Sequence, residues 1–425
     1  MGKFEGKRLL ILGSNNGSVD IVNYARREGA YVIVTDYLPA DKSAAKKYAD
    51  ETAQISTVDI DALVEFAKEK KVDGVFCGVS EANLRSVREI AERLNLPCYF
   101  TKEQWNLCQL KDKFKDLCKK HGVPVAEEFD IDESTTLEKL SEIKYPVIVK
   151  PVDLGASRGI HICYNAKELQ QGYRDALEKS LSHKVIVERY LTGDEISATY
   201  TFIDGECRLS MLSQMYYNCE QEGMVPLPDA YIYPSKHLDK YKKEVDSKMV
   251  EMLKSTGLKN GSVFVTGIAT GKEFAFFEAG LRIAGTIPYV FVSKINGINI
   301  MELMTEYAIN GRIENKELIK LEDPSLKNKK CCLFSLLNGG GVIHQVEGIE
   351  EAEKVPGVIR TTVQRRIGDT VIKNGTLGQI HIRFYIIGDT VEDIRNAIKE
   401  ILKIVKVTDI NGKNMLLRSV AADEI

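Results

Sequence analysis

Four things are scarce in this chain, and each narrows what it can be. The nine cysteines contain no CxxC spacing, so neither a zinc site nor a disulfide framework is written into them, and reduced thiols are the expectation. No apolar run of bilayer length survives, because the most hydrophobic stretch, 262–292, is interrupted by Lys272, Glu273, Glu278 and Arg282. The apolar run near the start is short and passes straight into a strand–loop–helix pattern, which does not fit a signal peptide. Cytoplasm is therefore the expected compartment, with no membrane association. Neither sign of charge is in excess: the net charge is −3, and lysines spread over helix-like stretches such as 111–120 and 240–248 read as solvated faces rather than a nucleic-acid surface. Low-complexity tracts and internal repeats are lacking as well.

What is present is an ordinary globular balance. Hydrophobic residues make up 44% and charged residues 28% of 425 residues, enough for two or three domains with full cores. From 8 to about 100, β-branched runs ("RLLILG", "YVIVTD", "VDGVFCGVS") alternate with amphipathic stretches near 18–28 and 60–70. That alternation predicts a parallel α/β sheet with crossover helices. Asp36 ends the second strand where a ribose-binding acid would sit, but Gly13 and Gly17 lack the GxGxxG spacing. The expectation is a Rossmann-like domain without a dinucleotide. After residue 108 the pattern changes. A helix ends at Gly122, and a strand, a glycine loop, a strand and a helix over 166–180 come next. "GSVFVTGIA" and "EFAFFEAGL" then read as a hairpin turning at 270–272. This predicts an α+β region with a mostly antiparallel sheet over 109–330, and a further α+β domain over 331–425.

Two stretches carry chemistry. In "YPVIVKPVDLGASRG" (145–159), Lys150 ends an apolar strand beside Pro151, which cannot donate to a ladder; an ammonium there is either an edge charge or is aimed at an anion. The loop after it holds Gly155, Ser157 and Gly159, and such loops turn backbone N–H groups toward phosphate oxygens. Taken alone, the loop is equally a surface hairpin. In "VERYLTGDEIS" (187–197), Glu188 closes a strand and Glu195 follows seven residues later. Taken alone, these acids read as exposed carboxylates beside a turn.

Taken together, 109–285 resembles the ATP-grasp family, which includes biotin carboxylase, D-alanine–D-alanine ligase and the L-amino-acid ligases. The "DK" that opens the family's central domain, whose lysine contacts ATP phosphate, matches Asp112–Lys113, and "YPVIVKP" matches the strand whose lysine, here Lys150, holds ATP phosphates. "GASRG" matches the mobile glycine loop. "ERYL" matches the hinge that grips adenine, which implies nucleotide contacts from Glu188, Arg189, Tyr190 and Leu191. "GDE" implies Glu195 at the ribose. "VSEANLRSV" looks like the S-E-x-N stretch of the biotin carboxylase N-terminal domain, which implies Glu81 on the substrate side. The last hundred residues look like the C-terminal domain of carboxylase-like and L-amino-acid-ligase members. The resemblance therefore implies an ATP-grasp fold: a Rossmann-like domain over 1–108, a two-lobed nucleotide-binding domain over 109–330 and a C-terminal α+β domain over 331–425. It also implies ATP with Mg2+ (Mn2+ as the alternative ion) and a homodimer.

One part of the family pattern is altered here. Members carry two magnesium-binding acids on a hairpin, the second within E-x-N-x-R. In "FFEAGLRIAG", Glu278 and Arg282 keep the Glu and Arg positions, but Gly280 replaces Asn. Thr266 stands where biotin carboxylase has its first acid. Either Thr266 and waters complete the metal shell with Glu278, or an acid such as Glu273 or Glu220 supplies the ligand, or turnover has been lost. Arg282, a fixed planar cation, is the implied catalytic and substrate-binding residue. The function expected is ATP-dependent ligation of a carboxylate to an amine through an acyl phosphate, on small amino-acid-like substrates. The alternatives are carboxylation through carboxyphosphate and a nucleotide-binding protein with a degraded metal site. An NAD-dependent oxidoreductase is more distant still.

Overall fold

The computed structural model describes residues 2–15, 17–154, 159–218, 226–419 and 421–425. Gly155, Ser157 and Glu220 lie outside the described residues.

The N-terminal pattern folds as its periodicity requires. Strands β1 (Arg8–Leu12), β2 (Tyr31–Thr35), β3 (Glu51–Ala53) and β4 (Gly74–Phe76) form a parallel sheet in the order β3-β2-β1-β4. Helices α1 (Ser18–Arg27), α2 (Ile60–Glu69) and α3 (Glu81–Leu94) connect and cover it. Leu9 to Leu12 and Val32 to Val34 are wholly buried, as continuous apolar strands covered on both faces must be. The positions a dinucleotide would use are filled internally. Asp36 is buried with Lys46 Nζ at 3.0 Å and accepts from Ser43 Oγ and the Leu38 amide. Asn83 donates to the Leu12 carbonyl, and its amide lies 2.7 Å from where a Cβ on Gly13 would stand.

Helix α4 (Lys102–Gln109) starts with a capping box between Thr101 and Gln104, and α5 (Lys111–Lys120) ends before Gly122 at φ +65°. The chain then divides between two sheets. Strands β5 (Val147–Pro151), β6 (His161–Cys163) and β7 (Val185–Arg189) make a small antiparallel sheet in the order β6-β5-β7, backed by the helix Ala166–Lys179. After Arg189 the chain crosses to a second sheet through β8 (Asp194–Ile203), β9 (Glu206–Asn218), β10 (Leu227–Tyr233), β11 (Gly261–Ala269) and β12 (Phe274–Gly280). Its C-terminal strands are β13 (Lys330–Leu337), β16 (Val358–Val363) and β18 (Ile380–Gly388), and the order is β12-β11-β8-β9-β10-β13-β18-β16. Short ribbons β14 (Gly341–Val342) with β17 (Thr370–Val371), and β15 (Gln345–Glu347) with β19 (Lys406–Thr408), complete the strands. The second sheet is thus hydrogen-bonded without a break across residue 330.

Period-2 alternation gives that sheet two different faces. Ala230, Phe334 and Phe384 pack with Ile394 and Ile398 of the helix Val391–Ile404. Tyr231, Leu333 and Tyr385 pack toward Phe291 on the other side, where the loop after β12 lies. Among the described residues, no helix is long and apolar enough to cross a membrane.

Glu322 is a buried acid on this second side. It accepts from Ser210 Oγ at 2.9 Å, and its Oε2 has no partner among the described residues. Burial pushes its carboxyl up to about 7, while the Thr201 and Ser210 hydroxyls oppose the rise. A carboxyl raised in the folded state favours folding while protonated. As pH climbs through its ordinary value toward 7, the unfolded chain ionises first and stability falls. Glu322→Gln is expected to recover on the order of 3 kcal/mol of that loss. In urea denaturation the variant should be more stable than wild type at about pH 8, and the two should converge near pH 5. Coincident curves at the higher pH would show that this carboxyl ionises freely.

Candidate active site

The small sheet sets the first half of the site. Val147, Val149 and Val187 turn toward the helix 166–179 and form a core with Leu169 and Ala176. Ile148, Lys150 and Glu188 therefore project from the opposite face, and the register places Ile148 against Glu188. Lys150 Nζ lies 2.7 Å from Glu188 Oε2, and the two residues are 5% and 2% exposed. The other oxygen of Glu188 is held by Lys115 on α5, which also reaches Glu128 at 2.7 Å. Both oxygens of Glu188 are thus occupied by ammonium groups.

Helix α5 explains how. Lys111, Phe114, Lys115 and Cys118 recur at helical spacing, and the last three of them are buried. Lys111 Nζ donates to the Leu154 carbonyl at 2.8 Å and the Pro151 carbonyl at 3.4 Å, at and just after the end of β5. Burial holds the Lys111 ammonium below the usual lysine range. The charge on Lys150 adds to this, while Glu278, Glu188 and Asp153 act against it. Lys113, the expected phosphate contact, stands on the exposed side of the helix. Lys111 and Lys115, rather than Lys113, are the α5 lysines brought to Lys150.

The large sheet supplies the second half. Glu278 on β12 stands opposite Thr266 on β11, and Thr266 opposite Ser197 on β8, so the three share a face. Glu195, two residues before Ser197, shares it too. This face looks toward the small sheet: Lys150 Nζ is 5.3 Å from the ring centre of Phe277. Thr266 is buried, whereas Glu278 is exposed to the cleft. Burial raises the Glu195 carboxyl, the Tyr217 hydroxyl that donates to it lowers it, and the nearby charge of Glu278 raises it again. The carboxylates of Glu195 and Glu278 and the hydroxyl of Thr266 are thus hard-oxygen donors on one face of the sheet. Among the described residues no group of three His, Cys, Asp or Glu side chains is placed to hold a metal ion. Glu273, an alternative first acid, is taken up in the turn by Arg189 at 2.8 Å.

Arg282 closes the cleft on the side of the N-terminal domain. Its Nε lies 2.5 Å from Glu81 Oε2 and its guanidinium 4.9 Å from the ring centre of Phe264. Trp105 Nε1 donates to the other oxygen of Glu81 at 3.4 Å. Glu81 and Arg282, separated by some two hundred residues, are therefore a pair. The crossing from β7 to β8 carries half-buried Tyr190 and Leu191, with the Tyr190 amide donating to the Pro146 carbonyl at 3.0 Å. Phe264 also explains the missing asparagine. A Cβ on Gly280 would stand 2.3 Å from that ring, so the ring fills the space an asparagine side chain needs.

Lys111, Lys115, Tyr217 and Phe264 were not among the expected site residues. The two lysines were findable, because they fall in the buried stripe of an otherwise exposed helix. Nothing local marks Tyr217 or Phe264; each takes part through a neighbouring strand.

Comparison with known proteins follows the same outline. Residues 110–273 match the family described as phosphoribosylglycinamide synthetase, ATP-grasp (A) domain. A carbamoyl phosphate synthase large chain of Clostridium beijerinckii is 24% identical over 349 residues, 77% of this chain and 32% of its own length. The chain thus spans about a third of the length of the curated relatives it matches. Among solved structures, the L-amino acid ligase of Bacillus licheniformis matches with a TM-score of 0.76 at 18% identity, covering 95% of this chain and 99% of that one. Phosphoribosylglycinamide synthetase of Anaerococcus prevotii matches at 0.75 and 20%, with the same coverage. The biotin carboxylase of Campylobacter jejuni matches at 0.75 and 18%, covering 95% and 92%.

Gly280→Asn should cost about 1–3 kcal/mol, the usual scale of overpacking, as read by urea denaturation. Adding Phe264→Ala should return part of that loss. A single variant as stable as the wild type would show that the ring yields and is not what keeps asparagine out.

Proposed function

We propose that this chain, whose residues 110–273 match an ATP-grasp domain and whose fold is shared with ATP-grasp proteins, is an ADP-forming ligase joining a small, amino-acid-like carboxylate to an amine. The observation that carries the reading is the convergence of opposite charges from two sheets. Lys150 belongs to the small sheet and Glu278 to the large one, and Lys150 Nζ lies 5.3 Å from the ring centre of Phe277, the residue before Glu278. A cleft with cations on one wall and carboxylates on the other suits a metal-bearing polyphosphate, with its anionic oxygens against the lysines.

The roles follow from that arrangement. Lys150 and Lys111 hold nucleotide phosphates beside the loop containing Gly155 and Ser157. Lys115 keeps Glu188 in place as Lys150 exchanges a carboxylate partner for phosphate. Leu191 and Tyr190 lie where the chain passes between sheets and line the base. Glu278, with Glu195 and the Thr266 hydroxyl, fits one Mg2+ or Mn2+ ion, which when bound supplies positive charge against the phosphate oxygens. The substrate carboxylate attacks the γ-phosphorus, a new O–P bond forms and ADP leaves. An amine then attacks the acyl carbon and phosphate departs. Arg282, oriented by Glu81 and Phe264, is placed to stabilise the acyl phosphate and the oxyanion that follows. A reducing cytoplasm is the proposed compartment, supported by the free thiols of all eight described cysteines. A homodimer is the proposed assembly.

Phosphate release from ATP, measured against pools of L-amino acids with bicarbonate as a separate arm, tests the reaction. Stimulation by amino acids with ADP and an amide formed together is expected. Stimulation by bicarbonate alone would move the protein to carboxylation. Lys150→Ala should abolish turnover while leaving thermal unfolding cooperative, and full activity would overturn the nucleotide assignment. Arg282→Ala should lower kcat about 100-fold or more with little change in ADP affinity; equal losses in both would make it a binding residue.

A further inference from the structure

Arg383 is a buried cation without an anion. It lies on β18 and is 7% exposed. Its recorded hydrogen bond is a long one, 3.4 Å from Nη1 to the Gly285 carbonyl, and its Nε has no partner. Among the described residues no carboxylate pairs with it. A neighbour has spare capacity as well. Ser335, directly across on β13, has a buried hydroxyl without a partner. An isolated buried charge is costly, and unsatisfied buried polar atoms add to that cost. A buried guanidinium opposite an unpartnered hydroxyl forms a cradle prepared for an anion.

The cradle opens on the site already described. Register places Arg383 and Tyr385 on the same face as Leu333 and Tyr231, the face away from the helix 391–404. Tyr231 lies within electrostatic reach of both Arg383 and Glu195. Gly285, which Arg383 touches, is three residues beyond Arg282 on the loop over this face.

Resting on the ligase reading above, we propose that Arg383, with Ser335, binds a carboxylate that does not react, and that this carboxylate belongs to the amine substrate. The amine donor is then an amino acid whose own carboxylate survives as the free end of the product. A second carboxylate on the acid substrate is the same chemistry from another source, and the experiment separates the two.

Steady-state phosphate release would be measured for wild type, Arg383→Gln and Arg383→Lys, with L-amino acids and their carboxamides as amine donors and with mono- and dicarboxylic acids as acid substrates. Arg383→Gln is expected to raise KM for the amino-acid donor at least 30-fold, leave KM for the carboxamide unchanged, and leave kcat and ADP affinity within a few-fold. Arg383→Lys should recover part of the loss. A selective loss on dicarboxylic acids would move the cradle to the other substrate and overturn the assignment to the amine, and unchanged KM values throughout would overturn the site. Thermal unfolding provides a readout independent of turnover. Removing an unpaired buried charge should leave Tm at or above wild type, and a large fall would show a structural role. If no acid and amine pair supports turnover by wild type, the ligase reading fails by itself. Calorimetric titration of the ADP-saturated protein with L-alanine then decides the cradle: binding lost in Arg383→Gln supports it, and equal binding or none overturns it.

Discussion

One carboxylate, Glu188, holds two buried ammonium groups that arrive from different elements, and the cleft depends on it. Lys150 comes from a strand and Lys115 from α5; without an anion between them, two like charges would lie buried within a few ångströms of each other. Such a pair cannot be left uncompensated, since breaking a buried ion pair costs several kcal/mol. Glu188 therefore fastens the small sheet to the helix that precedes it. It also holds Lys150 in place. On the proposed reading, binding a polyphosphate would be an exchange of one set of anionic oxygens for another, rather than the burial of a new charge.

The same economy shapes the opposite wall. Glu195 and Glu278 stand on strands flanking β11, close enough that one raises the other. A cation between nucleotide and sheet would relieve that repulsion, and the site therefore gains most from a ligand that brings metal and phosphate together. Arg282 is fixed from a third direction. Glu81 reaches it from the N-terminal domain and Phe264 underlies it, so a guanidinium at the end of a strand has little freedom left. The altered hairpin belongs to this arrangement. Once Phe264 lies against the strand, only glycine fits at position 280.

Much of this was legible in the chain. The alternation of β-branched runs with amphipathic stretches located the N-terminal sheet, and "YPVIVKP" followed by a glycine loop located Lys150. Glu81 and Arg282 were each singled out, though nothing in their spacing says that they meet. The motif points to Lys113, which is exposed, while Lys115 on the same helix is buried, because a motif marks a position, not a direction. On a helix, two residues' difference is a rotation of about 200°, enough to turn a lysine from solvent into the core.

By itself the sequence determined the elements, their amphipathic faces and a lysine at the end of a strand before a glycine-rich stretch, because these depend on periodicity and on near neighbours. Only the tertiary structure decided which charges are shared. That Glu188 serves two lysines, that Phe264 displaces an asparagine and that Arg383 is buried beside Ser335 all arise where separate elements pack against one another. Electrostatic partners inside a protein are chosen by distance and burial, and neither is written in the order of residues along the chain.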